Sequence, residues 1–417
     1  MGKDKVKAEI TGIIKSPIET RVAYYGKVNS KYIFELESID GLRITGLALI
    51  RIQTEKDYQY GDRLFVKGVI KRPFAGVIAR RERSERRSNF RKEKISSITS
   101  QSRNDKVNFD YRKYLENQNI FAIINVSEKN VIFLEHNYKV NNILRFAYFV
   151  RDKFKNQFLE KMPLESGAFL RAILLGDRSE LPKRLQESFR NSGTMHILAI
   201  SGLNVALLAG AFLFLFKLLR LKREIYYILT MLSLIFLMML TGSSASVVRA
   251  TIMCIVFLTG RLLGRPVDAY NSLGTAALII LVINPKDVFD VGFQLSFTAV
   301  WSMVYFMPKL MRFVKKDWNF YIMKYLLEPL AISISATIGT FPLIIYYFKM
   351  ATPIAIISNI LIVPLMFILM IGGLCFVALG WMPFIGSFIS SFNNILANVI
   401  FFLAEFFAAI KFGHFNV

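Results

Sequence analysis

The stretch HILAISGLN, residues 196 to 204, carries His196, Ser201 and Asn204 into an apolar run. A serine and a histidine suggest nucleophilic catalysis, which needs the base within hydrogen-bond reach of the hydroxyl. On a helix beginning near His196, about 100° of rotation per residue turns Ser201 roughly 140° away, so the two diverge. The remaining histidines, His136 and His414, lie far off in the chain. A polar lining is the better fit. Asn204 falls about 80° from His196, so the three polar residues share one side, while Ala199, Gly202 and Ala206 gather opposite as a close-packing seam. The polar side then meets either neighbouring helices, as interhelical glue, or a water-filled path, because unpaired polar groups in hydrocarbon are costly.

Other chemistries are excluded by what the chain lacks. No HxE, HExxH or HxHxDH spacing joins the three histidines, and Cys254 and Cys375 sit apart in apolar segments. Neither a metal site nor a disulfide framework is expected, and no cofactor. No GxxxxGK[ST] occurs, so the chain is not expected to hydrolyse nucleotide itself. MGKDKVKAEI has no apolar core behind its charges and is no signal peptide.

The elements that must position these residues follow from composition. The chain has 417 residues, 53% hydrophobic, and a net charge of +23. That combination describes a basic membrane protein. Before about residue 165 the sequence is mixed; from Ile197 onward long apolar windows recur.

VKAEITGII, RVAYYGKV, KYIFELES, LRITGLALIRI and RLFVKGVI alternate apolar and polar positions between turn pairs such as Asp40-Gly41 and Gly61-Asp62. They predict strands of a small antiparallel β-barrel, which NIFAIINV and NVIFLE would close. An OB-like barrel is preferred over an SH3-like one because its groove accepts single-stranded nucleic acid. Tyr24, Tyr25, Tyr32 and Phe34 are candidate stacking platforms, with half of them expected in the core.

Between the strand groups, residues 71 to 113 carry a net charge of about +9 and little apolar surface. Arg80, Arg81, Arg83, Arg86, Arg87, Arg91 and Lys92 are its basic arm. It reads equally as a phosphate-attracting arm for a nucleic-acid polyanion and as a solvated loop or one touching acidic lipid headgroups. Next, NILRFAYFVRDKFKNQFLEK (142 to 161) sets Ile143, Phe146, Phe149, Val150, Phe154 and Phe158 on one helical face. It predicts an amphipathic helix, lying in the membrane interface or packed on the protein itself.

Apolar segments at about 196–216, 225–242, 246–264, 270–284, 290–307, 325–348, 353–380 and 385–410 predict a polytopic α-helical membrane domain. The basic turns KLLRLKRE, RLLGR and KLMRFVKK alternate with the non-basic GSSAS and the Asp287/Asp290 turn. Basic loops stay cytoplasmic, so the N-terminal domain falls on the external side. Nothing at this N-terminus would export it, which raises the expectation of a missing upstream membrane segment.

Taken together, LLGDRS (174 to 179), SGTMHILAISGLN, Thr241-Gly242, Arg249-Ala250, Gly260-Arg261, Asn284-Pro285, GFQLSF (292 to 297), Phe341-Pro342 and Ser358-Asn359 resemble the signature of the ComEC family. These are the inner-membrane channel proteins of bacterial DNA uptake. FDYRKYL (109 to 115) looks like that family's link out of its OB-like domain. The resemblance implies passage of single-stranded DNA into the cytoplasm during transformation. It also implies membrane lipids, a cytoplasmic ATP-driven helicase-like motor, an external DNA receptor and a separate nuclease as partners.

Three departures qualify it. Asn204 stands where the family usually has a second histidine, so no acid–base role is expected there. The chain stops at Val417 before the family's metallo-β-lactamase-like domain, so no enzymatic activity is expected of it. The family usually has membrane helices before its OB-like domain, and their absence from this sequence raises the expectation of a truncated reading frame or an alternative start.

On this reading the DNA-path candidates are His196, Ser201, Asn204, Arg249, Arg261, Gln294 and Asn359, and the structural motif residues are Gly176, Asp177, Arg178 and Gly202. Arg249 would either snorkel to the interface or meet a phosphate. Asp177 and Arg178 read as an ion pair supporting a turn. Gln294 and Ser296 diverge on a helix, and either serves equally as interhelical glue. The expected domains are 1–135 (OB-like, with the basic loop), 136–165 (amphipathic helix and linker) and 166–417 (membrane domain). A transporter of another anionic polymer or lipid is the alternative function, with an intramembrane hydrolase behind it.

Overall fold

A computed structural model describes residues 5–22, 28–53, 58–71, 120–136, 141–198, 201–265, 268–313, 327–410 and 415–416. The basic arm, Tyr24, Tyr25, FDYRKYL and Ala199 lie outside these residues.

The N-terminal part is a closed five-stranded barrel. Its strands are β1 (Lys5–Val22), β2 (Val28–Ile39), β3 (Leu42–Gln53), β4 (Arg63–Lys71) and β5 (Ile120–Ser127), with β6 (Val131–Glu135) added beside β4. Neighbours run β1-β2-β3-β5-β4, and β1 pairs again with β4 to close the ring. β3 and β5 are parallel, one departure from the antiparallel expectation. Of RVAYYGKV, Arg21 and Val22 end β1 and Val28 begins β2, and the residues between lie outside those described.

β1 serves both neighbours by bending, with register shifts at Thr11/Gly12, Ile14/Ser16 and Pro17/Glu19. At the first of these, a Cβ on Gly12 would strike the Glu35 carbonyl oxygen and lie 2.6 Å from the Phe34 ring, so only glycine fits this corner. Alternation supplies the core, where Ile10, Ile14, Tyr32, Phe34, Ile50, Leu64, Val66 and Ile124 pack together. Tyr32 and Phe34 therefore fill the barrel and cannot stack bases; the Tyr32 hydroxyl accepts from the Tyr58 amide at 3.3 Å.

Helix α1 (Asn142–Lys161) starts on Asn141, whose side chain accepts from the Ile143 amide at 2.9 Å. Its apolar stripe serves two purposes. Phe158 is buried and Phe154 packs on the helical core, whereas Ile143, Phe146 and Phe149 are exposed. Tyr148 ties α1 to the barrel, with its hydroxyl 3.4 Å from Ser16 Oγ and its ring 5.4 Å from that of Tyr60.

Three short helices follow, α2 (Leu164–Leu175), α3 (Lys183–Asn191) and α4 (Met195–Leu198). Then come α5 (Gly202–Leu218), α6 (Arg223–Leu240), α7 (Ala245–Leu262), α8 (Ala269–Ile283), α9 (Val291–Met311), α10 (Glu328–Phe348), α11 (Ala355–Leu379) and α12 (Pro383–Ala408). Each predicted apolar segment corresponds to one of α5 to α12. Among the described residues five helices, α6, α7, α10, α11 and α12, are long and apolar enough to cross a membrane, and α5 and α8 are shorter apolar helices. β7 (Met350–Ala351) and β8 (Phe415–Asn416) form a small ribbon.

The helical core gathers buried residues from α1 to α7, α11 and α12, including Phe158, Phe169, Phe189, Leu234, Met366, Phe376 and Phe401. α2 is its centre, buried from Ser166 to Leu175. A helix apolar on all sides must be enclosed by others, which is the position α2 takes.

Candidate functional site

The HILAISGLN stretch does not form one continuous helix. α4 ends at Leu198 and α5 begins at Gly202, with Ser201 extended between them at φ −95° and ψ 166°. Ser201 is an N-cap: its Oγ accepts from the Asn204 amide at 3.4 Å and donates to Asn204 Oδ1 at 3.3 Å. Ser201 thus caps α5, and the Asn204 side chain reaches back to the cap hydroxyl. Asn204 Nδ2 also donates to the Ile197 carbonyl at 3.5 Å, bridging the break.

This reverses the predicted faces. Asn204 is buried, whereas Gly202 and Ala206 are exposed. A continuous-helix wheel cannot apply across a chain break, because the cap resets the rotation. His196 hydrogen-bonds to the Gly193 backbone and is exposed.

The turn that leads into His196 is held by buried hydroxyls. Ser192 and Thr194 are wholly buried with their hydroxyl oxygens 2.7 Å apart, and Ser358 Oγ donates to the Ser192 carbonyl at 2.8 Å. Gly193 has φ +75°, and an added Cβ would overlap Ala355. The SGT and SN motifs therefore meet, locking the α3–α4 turn onto the start of α11. Asn359, next to Ser358, donates to Ser333 Oγ at 3.4 Å, joining α11 to α10.

Arg249 neither snorkels nor stands open. It is buried in α7, with its Nη1 3.2 Å from Asp290 Oδ1. Asp290 also caps α9, accepting from the Phe293 amide at 2.8 Å. Asp287 lies beside this pair, with Asn284 Nδ2 donating to its Oδ1 at 2.6 Å. Burial pushes the Asp287 carboxyl above its usual range and the Asp290 charge adds to this, while Arg249 and the Asn284 amide pull it partly back. Gln294 donates from Nε2 to the Val288 carbonyl at 3.0 Å and accepts from the Tyr347 hydroxyl at 2.9 Å, so it binds this turn to α10. Ser296 turns back onto the Gly292 carbonyl of its own helix at 2.7 Å.

These contacts converge at one end of the bundle. Gly202 faces Ala250, Arg249 meets Asp290, and Gln294 meets Tyr347, which brings together the starts of α5, α7 and α9 and the end of α10. A Cβ on Gly242, in the α6–α7 turn, would lie 3.5 Å from Ser16 of the barrel, so this is the barrel end. Arg261 belongs to the opposite end. Its carbonyl accepts from Arg223 Nη2 at 2.6 Å and its guanidinium lies 5.5 Å from the Phe257 ring. The α5–α6 and α7–α8 turns, both basic, thus share the far end.

LLGDRS closes α2. Gly176 is the left-handed C-cap at φ 76°. Burial pushes the Asp177 carboxyl up, but Lys155 at 3.4 Å, the Ser179 hydroxyl and amide, and Arg171 outweigh it and hold it below the usual range. The carboxylate is thus paired across to α1, where Lys155 sits. Buried Arg171 pairs with Glu180 at 2.5 Å, a second ion pair that no local pattern announced.

A small barrel followed by a helical domain with, among the described residues, five helices long and apolar enough to cross a membrane defines a multi-pass membrane protein. The family model "Competence protein" matches residues 173–417, and the chain belongs to that family, within the ComEC group. It is 29% identical over 256 residues to "ComE operon protein 3" of Bacillus subtilis (strain 168), covering 61% of this chain and 31% of that protein. An uncharacterized protein of Aquifex aeolicus (strain VF5) is 29% identical over 224 residues, 52% of this chain and 49% of its own length. The chain therefore spans less than half of either relative. No solved structure matches. The protein is a multi-pass cell-membrane protein of the competence family.

Proposed function

We propose that this chain conducts single-stranded DNA through the cytoplasmic membrane during transformation, with its barrel on the external side. The observation that carries this reading is the convergence of the His196, Asn204, Arg249, Gln294 and Ser358 motifs at the barrel end of the bundle. There His196 is exposed, as a residue facing a hydrated path would be. The charge pattern supports the orientation, since Lys217, Arg220, Arg223 and Arg261 gather at the other end, where basic turns remain cytoplasmic.

In this function His196 lines the entrance, and Ser201 and Asn204 act by holding the helix break open beside it. The basic arm of residues 71–113 recruits the strand by counterion release, and the barrel presents it. A motor at the basic end, an external DNA receptor and a separate nuclease complete the pathway. The test is deletion of the gene followed by uptake of labelled DNA into the cytoplasm, complemented by the wild type and by His196→Leu. Loss in the deletion and in His196→Leu, with wild-type rescue, supports the path. Normal internalisation in the deletion overturns it.

A further inference from the structure

We infer that a polar stripe along α12 is a hydrated wall of the DNA path, an inference that rests on the conduction reading above. At about 100° per residue, Ser387, Ser391, Asn394, Asn398 and Glu405 fall within about 60° of one another around this helix. From Ser387 to Glu405 the helix rises about 27 Å, close to the hydrocarbon thickness of about 30 Å. Ser387, Ser391 and Asn398 are exposed, and Asn394 and Glu405 are half-buried. Asn398 Nδ2 reaches Asn394 Oδ1 only at 3.5 Å, and the Ser387 and Ser391 hydroxyls have no hydrogen-bond partner among the described residues.

Polar side chains on a membrane-spanning helix face the bundle interior or water, because lipid gives them no partner. The neighbouring helices obey this. α10 buries Ser333 and Ser335, and the exposed side chains of α11, such as Ile357, Leu361 and Ile368, are all apolar. α12 has its own face for lipid, where Phe388, Ile395 and Phe406 turn outward about 70–90° from the centre of the stripe. At one end of the stripe Glu405 Oε1 lies 2.8 Å from Arg184 Nη1, and Arg184 Nη2 lies 3.6 Å from Glu165 Oε2. The stripe thereby continues onto α3, where Lys183, Glu187 and Arg190 are exposed and which leads into the turn before His196. A second copy of the chain seated on the stripe would have to cover these charges as well, which is costly; water does not. Neutral hydroxyls and amides offer a polyanion a donor at each turn with no row of cations to trap it, and conduction needs binding weak enough to release.

The experiment uses the full chain in liposomes, with Cys254→Ala and Cys375→Ala as background. Ser391→Cys, Asn394→Cys and Asn398→Cys probe the stripe, and Phe388→Cys and Ile395→Cys probe the lipid face. The stripe cysteines should react with a charged, membrane-impermeant maleimide about tenfold faster than the lipid-face pair, since only a wetted thiol ionises and meets the reagent. A bound single-stranded oligonucleotide should slow them. Stripe cysteines as slow as the lipid-face pair, or an Asn398→Cys protein that oxidises to a disulfide-linked dimer, overturn the wall and leave the DNA-path reading to the deletion test. Fast labelling that a bound oligonucleotide does not slow overturns it too, because the stripe is then wetted outside the DNA path. Failure to bind oligonucleotide at all rejects the DNA-path reading itself, and the inference with it.

A second measurement reads transport. Replacing both amides, Asn394→Leu with Asn398→Leu, makes the stripe apolar at its middle, where a hydrated wall would dewet, so internalisation of labelled DNA should fall about tenfold at wild-type protein abundance. Normal internalisation by that double variant overturns the wall.

Discussion

Gly193→Ala tests how the His196 loop is held. Gly193 sits at φ +75°, and a left-handed conformation costs an alanine about 1–2 kcal/mol. The new Cβ would overlap the Ala355 Cβ, and would lie 3.1 Å from both Ala355 Cα and Thr352 Oγ1. Overpacking of this kind costs about 1–3 kcal/mol, so the total is about 2–5 kcal/mol. The two contributions separate in a double-mutant cycle. Ala355→Gly removes the overlapping Cβ at the first residue of α11 and by itself costs up to about 1 kcal/mol. Combined with Gly193→Ala it should recover about 1–2 kcal/mol, while the left-handed cost stays. SDS titration of the purified protein in bicelles measures stability, and transformation frequency should follow the same order. If the double variant is no more stable than Gly193→Ala alone, the steric account of this turn is wrong.

Ser201→Ala should destabilise by about 0.5–2 kcal/mol through loss of the α5 cap, and Ser201→Asp should retain most of that stability; equal losses in thermal melts would argue against capping. Gly202→Ala should be neutral or stabilising by up to about 1 kcal/mol, since its Cβ would meet only Ala250 at 3.6 Å; a marked loss on melting would restore the close-packing seam. Asp177 has a depressed carboxyl, so its contribution is full above the unfolded value of about 3.9 and is lost as pH falls through the lower folded value. Asp177→Asn should therefore lower stability at neutral pH and flatten the acid limb of the pH–stability curve. An unaltered acid limb would mean that Lys155 and Ser179 do not favour the charged form. Replacing Arg80, Arg81, Arg83, Arg86, Arg87, Arg91 and Lys92 with Gln should reduce the salt slope of oligonucleotide binding by up to about 5, at about 0.7 per lost phosphate contact. An unchanged slope would remove the arm from DNA binding.

Much of the fold was legible locally. Alternating positions such as Ile10, Ile14 and Ile50 report a half-buried strand wherever the strand is, and Asp40-Gly41 turns the chain by its own backbone preference. The β1 strand was misjudged because its bend at Gly12 depends on the Phe34 ring and the Glu35 carbonyl of another strand. The parallel β3–β5 pairing depends likewise on how the barrel closes. In HILAISGLN the capping signal Ser201-x-x-Asn204 was present, but the apolar run on either side concealed the break.

The sequence by itself determined that this is a basic, multi-pass membrane protein with a small barrel before it, because apolar length and strand period are properties of single segments. Its motif spelling also determined the family. Only the tertiary structure decided what the polar residues do. Arg249 found Asp290, Asp177 found Lys155, and Ser358 found the Ser192 carbonyl, each across a gap in sequence that no local pattern spans. A buried charge or hydroxyl takes whichever partner packing brings within reach, and that partner is set by helix assembly rather than by neighbours along the chain.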